Sequence, residues 1–172
     1  MAYVSRYMKQ KEAEQQFLDA YHQFGDAIFR FCVVKVSNKE LAEDMTQEAF
    51  IKYWQYLRDG KEITNTRSLL YTIANNAAKD WYKKKKAVSL EDRMEVGKEP
   101  VGADTSAEVQ AAYNEVLETI SELEEGDREV LLLTHIEGLP PREIAEILGE
   151  SANTISVRLN RATKRLRKAL HV

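Results

Sequence analysis

The sequence predicts an all-α protein built as two small helical domains joined by a flexible acidic linker. Three observations carry this expectation. Glycine and proline are scarce, at 7 and 3 of 172 residues, and Ala, Leu, Glu, Lys, Arg and Gln run throughout, a composition that favours helix over strand. Apolar residues recur at steps of three and four, the period of one helical face, along most of the chain. Between two such stretches the period lapses around Gly97, Pro100 and Gly102, where charged residues prevent much burial.

The expected boundaries are 1–86 for the first domain, 87–105 for the linker and 106–172 for the second domain. Residues 1–86 hold 15 basic and 11 acidic side chains, residues 87–127 hold 2 and 12, and residues 128–172 hold 8 and 5. A formal net charge of −3 therefore conceals two basic modules flanking an acidic middle, and says little about what either end binds.

In the first module, Phe17, Tyr21, Phe24, Ile28, Phe31 and Cys32 form the stripe of a first helix. Ser37 with Glu40 three residues on has the form of a capping box, and Leu41, Met45, Ala49, Tyr53, Trp54 and Leu57 make the stripe of a second helix that Asp59-Gly60 ends. A third helix opens near Asn65 or Thr66 and turns Leu69, Leu70, Ile73, Ala77 and Trp81 inward. In the second module, Thr105 and Glu108 form another capping box ahead of a stripe from Val109 to Ile120, and Asp127 is placed to cap a helix over 128–137 that Gly138 stops. Leu131, Leu132 and Leu133 in a row are one leucine too many for a single core face.

The segment LPPREIAEILGESANTISVRLNRATKRLRKAL, 139–170, is the most informative. Pro141 suits a helix's first turn, Ile144, Ala145 and Leu148 point inward, and Gly149 supplies the left-handed backbone that ends the helix. Ser151 then caps a longer helix in which Ile155 and Leu159 pack back onto the first. A short helix, a glycine-bearing turn and a longer basic helix make a helix-turn-helix, the unit that lays its second helix in the DNA major groove. From Ser151 onward there are six Lys or Arg and no acid. Asn153, Thr154, Ser156, Val157, Arg158, Asn160 and Arg161, followed by Lys164 and Arg165, are the candidates to meet base edges and phosphates. The plainer alternative is a helical hairpin with a solvated basic face.

Several classes are excluded. One cysteine permits no internal disulfide, no apolar run approaches the roughly 20 residues needed to span a bilayer, and MAYVSRYMKQKEAEQQ has no signal-peptide core, so a cytoplasmic protein without membrane insertion is expected. Only His22, His135 and His171 offer imidazoles, the paired Glu-x-x-His of a di-iron bundle is absent, and Cys32 among Phe31, Val33 and Val34 reads as a buried thiol. With no Gly-rich phosphate loop either, neither catalysis nor a cofactor or metal is expected.

The segment EGLPPREIAEILGESANTISVRLNRATKRLRK resembles region 4 of the sigma-70 family of RNA polymerase specificity factors, in the form found in its two-domain extracytoplasmic-function (ECF) group. LAEDMTQEAFIKYW, 41–54, is similar to the region 2 helix of that group, and SLLYTIANNAAKDWYKKKK, 68–86, to the segment that meets the minus-10 promoter element. Together they cover most of the chain in the family's order.

The resemblance implies a sigma factor that binds core RNA polymerase and directs initiation at specific promoters. It implies that Asp44, Gln47, Glu48, Phe50 and Trp54 dock on the clamp helices of the largest subunit, where carboxylates would pair with basic side chains. Asn75, Asn76, Lys79, Tyr82 and Lys83 would capture single-stranded minus-10 DNA, with cations on phosphates, a ring on exposed bases and amides on base edges. The second helix of the helix-turn-helix would read the minus-35 element, where Arg158 and Arg161 match the family well. Leu69 and Asn75 stand where many members carry Trp and Arg, which leaves the minus-10 preference open, and many relatives carry a basic residue and a small polar one at Ser156 and Val157. The surplus leucine is implied to meet the polymerase flap, with core packing as the alternative. The acidic linker, including Glu91, Asp92, Glu95 and Glu99, is implied to enter a basic channel of the polymerase, and an anti-sigma factor is an expected partner. Two other classes compete, a regulator whose helix-turn-helix binds DNA without polymerase and an adaptor that reads no DNA. Association with core polymerase separates all three.

Overall fold

The structure, a computed structural model, describes residues 2–36, 38–88 and 122–169, with side chains described over 10–36, 38–84 and 122–168. The elements among these residues are all helical, and the chain divides into two compact units, Met1–Met94 and Glu95–Val172. The expected linker from residue 89 onward, with its four named acids, and the helix expected over 109–120 with its capping box lie outside the described residues.

The first unit holds α1 (Ala2–Val36), α2 (Lys39–Arg58) and α3 (Thr66–Val88), each packed on the other two. Residues 87 and 88, expected in the linker, continue α3. The break between α1 and α2 is made by Asn38, whose backbone is extended and whose Oδ1 accepts from the Leu41 amide at 2.8 Å. Asn38, one residue past the expected Ser37, is therefore the cap: its short amide side chain satisfies an orphan donor of the first turn. At the other end of α2, the chain turns through Asp59 and Gly60, the latter at φ 66, a left-handed backbone that favours glycine. Asn65 opens α3 by accepting from the Ser68 amide at 2.9 Å.

Size complementarity builds the core. Ile28 and Phe31 of α1 and Leu70 and Tyr71 of α3 are fully buried, and so are Ala42 and Ala49 of α2 and Ala74 and Ala78 of α3. The alanines let helix backbones approach while the large side chains fill the space between them. Phe31 meets Tyr71 edge-on with ring centroids 5.2 Å apart. Truncating Ile28 to alanine here removes contacts worth about 2–5 kcal/mol. Cys32 lies in this core, and burial pushes its thiol up to about 11, against a hydrogen bond with Thr46 and the charge of Lys35.

The second unit holds α4 (Glu125–Leu131), a π-helical turn (Leu132–Ile136), α5 (Pro141–Leu148) and α6 (Ala152–Ala169). Val130, Leu133, Leu139, Ile144, Ile155 and Ala162 form its core. The three consecutive leucines find their explanation in packing on two sides. α4 packs on α6 and the π turn packs on α5, so Leu131 and Leu133 are both buried and Leu132 is half-buried. Asp127 does not cap a helix at Arg128. The helix begins two residues before Asp127, which is fully buried inside the first turn.

Candidate nucleic-acid interface

α5 and α6 form the helix-turn-helix. Pro141 stands at the first position of α5, where its missing N–H costs no hydrogen bond. Gly149 closes the helix at φ 70 and ψ 37, and the Glu150 amide returns to the Ala145 carbonyl at 2.9 Å. Ser151 then starts α6, its Oγ accepting from the Thr154 amide at 3.0 Å. Ile155, fully buried, fastens α6 to the core.

With that side inward, α6 exposes Asn153, Thr154, Ser156, Val157, Asn160 and Lys164. Val157 is 62% exposed, an apolar contact surface within a polar stripe. Ser156 Oγ donates back to the Ala152 carbonyl at 2.9 Å and keeps its lone pairs outward. Ser156, Val157, Asn160, Arg161 and Lys164 line one shallow groove without a carboxylate.

The arginines differ from expectation. Arg158 is not on the outward face: its side chain is 22% exposed, its Nη2 donates to Glu150 Oε2 at 2.7 Å, and its guanidinium lies against Gly126. A β-carbon at Gly126 would stand 3.3 Å from Arg158 Nη1, so glycine makes room for this packing. Arg161 and Arg165 are half-exposed, and each also donates to Asp127, at 2.7 and 2.9 Å, with Glu124 further off at 3.6 and 3.8 Å. The Asp127 hydrogen bond and charge raise the pKa of Arg161, which stays protonated.

In the first unit, Asn76, Lys79, Tyr82 and Lys83 lie exposed along α3 as expected. Asn75 does not. It is fully buried, because α1 and α2 cover adjacent sides of α3 and take this position into the core. Tyr82 is 38% exposed with its hydroxyl tied to the Lys35 carbonyl, and Trp81 stands edge-on at 4.9 Å.

On α2, Asp44, Gln47 and Glu48 are exposed, and Glu48 pairs with Lys52 one turn on at 2.6 Å. Trp54 is half-buried. Phe50, expected in the same docking surface, is 3% exposed and packs on Tyr21 and Phe17, with ring centroids at 5.0 and 6.1 Å. Its place at the surface is taken by residues that the sequence reading did not single out. Ile51 and Leu18, 57% and 49% exposed, form a shallow apolar groove with Glu14, Phe17 and Trp54. Ile51 follows Asp44, Gln47 and Glu48 at helical spacing, the signal that could have marked it. Ile136, 65% exposed at the end of the π turn, is a second such residue.

No group of three or more side chains among the described residues is arranged to hold a metal ion, and none of the described helices is long and apolar enough to cross a membrane. A compact helix-turn-helix with an acid-free outward stripe, in a chain with a separate three-helix unit, is an arrangement suited to a DNA-reading transcription protein. Residues 20–88 match the family model of sigma-70 region 2, and residues 113–166 that of sigma-70 region 4. The ECF RNA polymerase sigma factor SigW of Bacillus subtilis is 31% identical over a 184-residue alignment that covers 97% of this chain and 96% of that protein. The probable RNA polymerase sigma factor RfaY of Xanthomonas campestris is 31% identical over 136 residues, 75% of this chain and 34% of that longer relative. The fold is shared with the sigma factor RpoE of Bartonella quintana, solved with the anti-sigma factor NepR, at a TM-score of 0.74 and 24% identity over 92% of this chain and 98% of that one. The chain belongs to the ECF group of RNA polymerase sigma factors, which direct the polymerase to initiate transcription at promoters.

Proposed function

We propose that the two units divide the work of this sigma factor as follows. Asp44, Gln47 and Glu48 of α2, with Trp54 and the neighbouring Ile51, dock on the clamp helices of core polymerase, where exposed carboxylates meet basic side chains around an apolar contact. Asn76, Lys79 and Lys83, with the ring of Tyr82, hold the single strand of the opened minus-10 element. Asn153, Thr154, Ser156, Val157 and Lys164 of α6, with the exposed edges of Arg161 and Arg165, meet the minus-35 element. The observation that carries this reading is the acid-free outward stripe of α6, held on a capped and buried helix-turn-helix.

The half-buried Leu132 and the exposed Ile136 would meet the polymerase flap. Glu91, Asp92, Glu95 and Glu99, within 87–105, would oppose duplex DNA and suit a basic polymerase channel, so that the chain binds promoters through core polymerase and weakly alone. The protein works in the cytoplasm by binding polymerase and promoter DNA. A solved relative of the same fold is held by an anti-sigma factor, which supports inhibition of this chain by a protein of that kind.

Run-off transcription with purified core polymerase and a promoter library tests the reading. Defined start sites that depend on the added chain are expected, and Glu48→Lys is expected to lower the amount of chain that co-elutes with core. Template-independent output, or co-elution unchanged by charge reversal at Asp44 and Glu48 together, counts against it.

A further inference from the structure

Arg158, Arg161 and Arg165 follow one another at steps of three and four, which aligns them along one edge of α6. That edge turns toward the first turn of α4. Asp127 is fully buried there and accepts from Arg161 Nη2 through Oδ1 and from Arg165 Nη1 through Oδ2, at 2.7 and 2.9 Å. The two guanidinium-bearing side chains nevertheless remain 49% and 45% exposed. A guanidinium carries five N–H donors in a rigid plane, so a carboxylate that engages one side leaves others open. Arg161 also lines the groove with Ser156, Val157, Asn160 and Lys164.

We propose that Asp127 is a specificity-determining positioning residue: without touching DNA, it holds Arg161 and Arg165 in the orientation in which α6 reads a promoter. The inference rests on the reading of α6 as the minus-35 helix. A long arginine free in solvent samples many rotamers and finds a phosphate on any sequence. Braced by a buried carboxylate, it offers its remaining donors at one place, so the match between protein and base edge is sharper. Burial also separates Asp127 from a competitor for the arginines. An exposed acid would repel DNA, whereas this one is enclosed and faces two cations; Glu124, at 68% side-chain exposure and 3.6 and 3.8 Å from the same arginines, is the weaker, solvent-facing partner.

The test uses holoenzyme assembled with the full chain. Binding is measured on a promoter and on the same promoter with a scrambled minus-35 element, over a range of salt. Asp127→Asn preserves size and one acceptor oxygen but removes the charge. It is expected to lower the promoter-to-scrambled ratio by about five- to tenfold, the scale of one arginine–base contact, while affinity for scrambled DNA holds or rises. In an Arg161→Ala, Arg165→Ala background the same substitution is expected to leave the ratio unchanged, a coupling that loss of folding does not produce. Should Asp127→Asn fail to fold, the Arg161→Lys, Arg165→Lys chain carries the test: it retains charge, loses the planar fork and is expected to lose discrimination in the same way.

A ratio unchanged by Asp127→Asn overturns the inference, and so does an equal gain in affinity for both templates, which would make Asp127 a competitor instead. A wild-type ratio of one removes the minus-35 reading together with the inference. A high wild-type ratio that Asp127→Asn leaves intact removes the inference alone.

Discussion

The hydroxyl of Tyr82, in the last third of α3, donates to the backbone carbonyl of Lys35 in the last turn of α1 at 2.7 Å. The final carbonyls of a helix lack intrahelical partners, so this bond satisfies one of them from another element. It also fixes the ring of Tyr82, which belongs to the proposed minus-10 surface.

Tyr82→Phe separates those two roles. Removing the hydroxyl alone is expected to cost about 0.5–1.5 kcal/mol in urea unfolding while strand capture persists, because the ring remains. Tyr82→Ala is expected to lose both, read as lower stability and less permanganate-reactive thymine in the minus-10 region.

Asn75 and Asn76 are adjacent in sequence and opposite in environment, fully buried and exposed respectively. Asn75→Leu or Asn75→Ala changes the core, with an expected stability loss of about 1–3 kcal/mol and no change in promoter opening per folded molecule. Asn76→Ala is expected to stay within about 0.5 kcal/mol of the parent and to reduce opening. Reversed results would place Asn75 at the DNA after all.

Gly149 sits at φ 70 with open space where a β-carbon would go. Gly149→Ala therefore acts through backbone strain alone, and an expected loss of about 1–2 kcal/mol follows from the left-handed conformation. Gly149→Asn, which tolerates that region better, is expected to lose less; equal losses in chemical denaturation would point to a steric cause.

Arg158 is bonded to Glu150 and packed against Gly126, contacts that tie α6 to the turn and to α4. Arg158→Ala is expected to destabilise the protein by about 1–2 kcal/mol. Glu150→Gln should cost less in that background than in the wild type, since the partner is gone. Among folded molecules, the promoter-to-scrambled binding ratio is expected to persist; a ratio that collapses would return Arg158 to the reading face.

Cys32 has its thiol raised from an ordinary 9.0 to about 11 by burial. Below about pH 9 the thiol is protonated in folded and unfolded chains alike, and its contribution is fully present. As pH rises from about 9 to about 11 the unfolded chain ionises and the folded one does not, so stability falls. The unfolding free energy of wild type is expected to drop relative to Cys32→Ala across that window. At pH 8 a thiol reagent is expected to react slowly until denaturant is added; rapid native labelling would contradict the burial.

Local chemistry made much of this protein readable from sequence. Helix periods, the capping Ser151, Pro141 at the head of α5 and the left-handed Gly149 all act within a few residues, so α5 and α6 and the exposure of Asn153, Thr154, Ser156 and Val157 were legible without coordinates. Phe50 and Asn75 were not, because their fate depends on which sides of α2 and α3 the other helices cover. Nor was the alliance of Arg161 and Arg165 with Asp127, across 34 and 38 residues. Periodicity assigns a residue to a face of its own helix, whereas burial and ion pairing depend on what a distant segment brings to that face, and only the tertiary structure decides that.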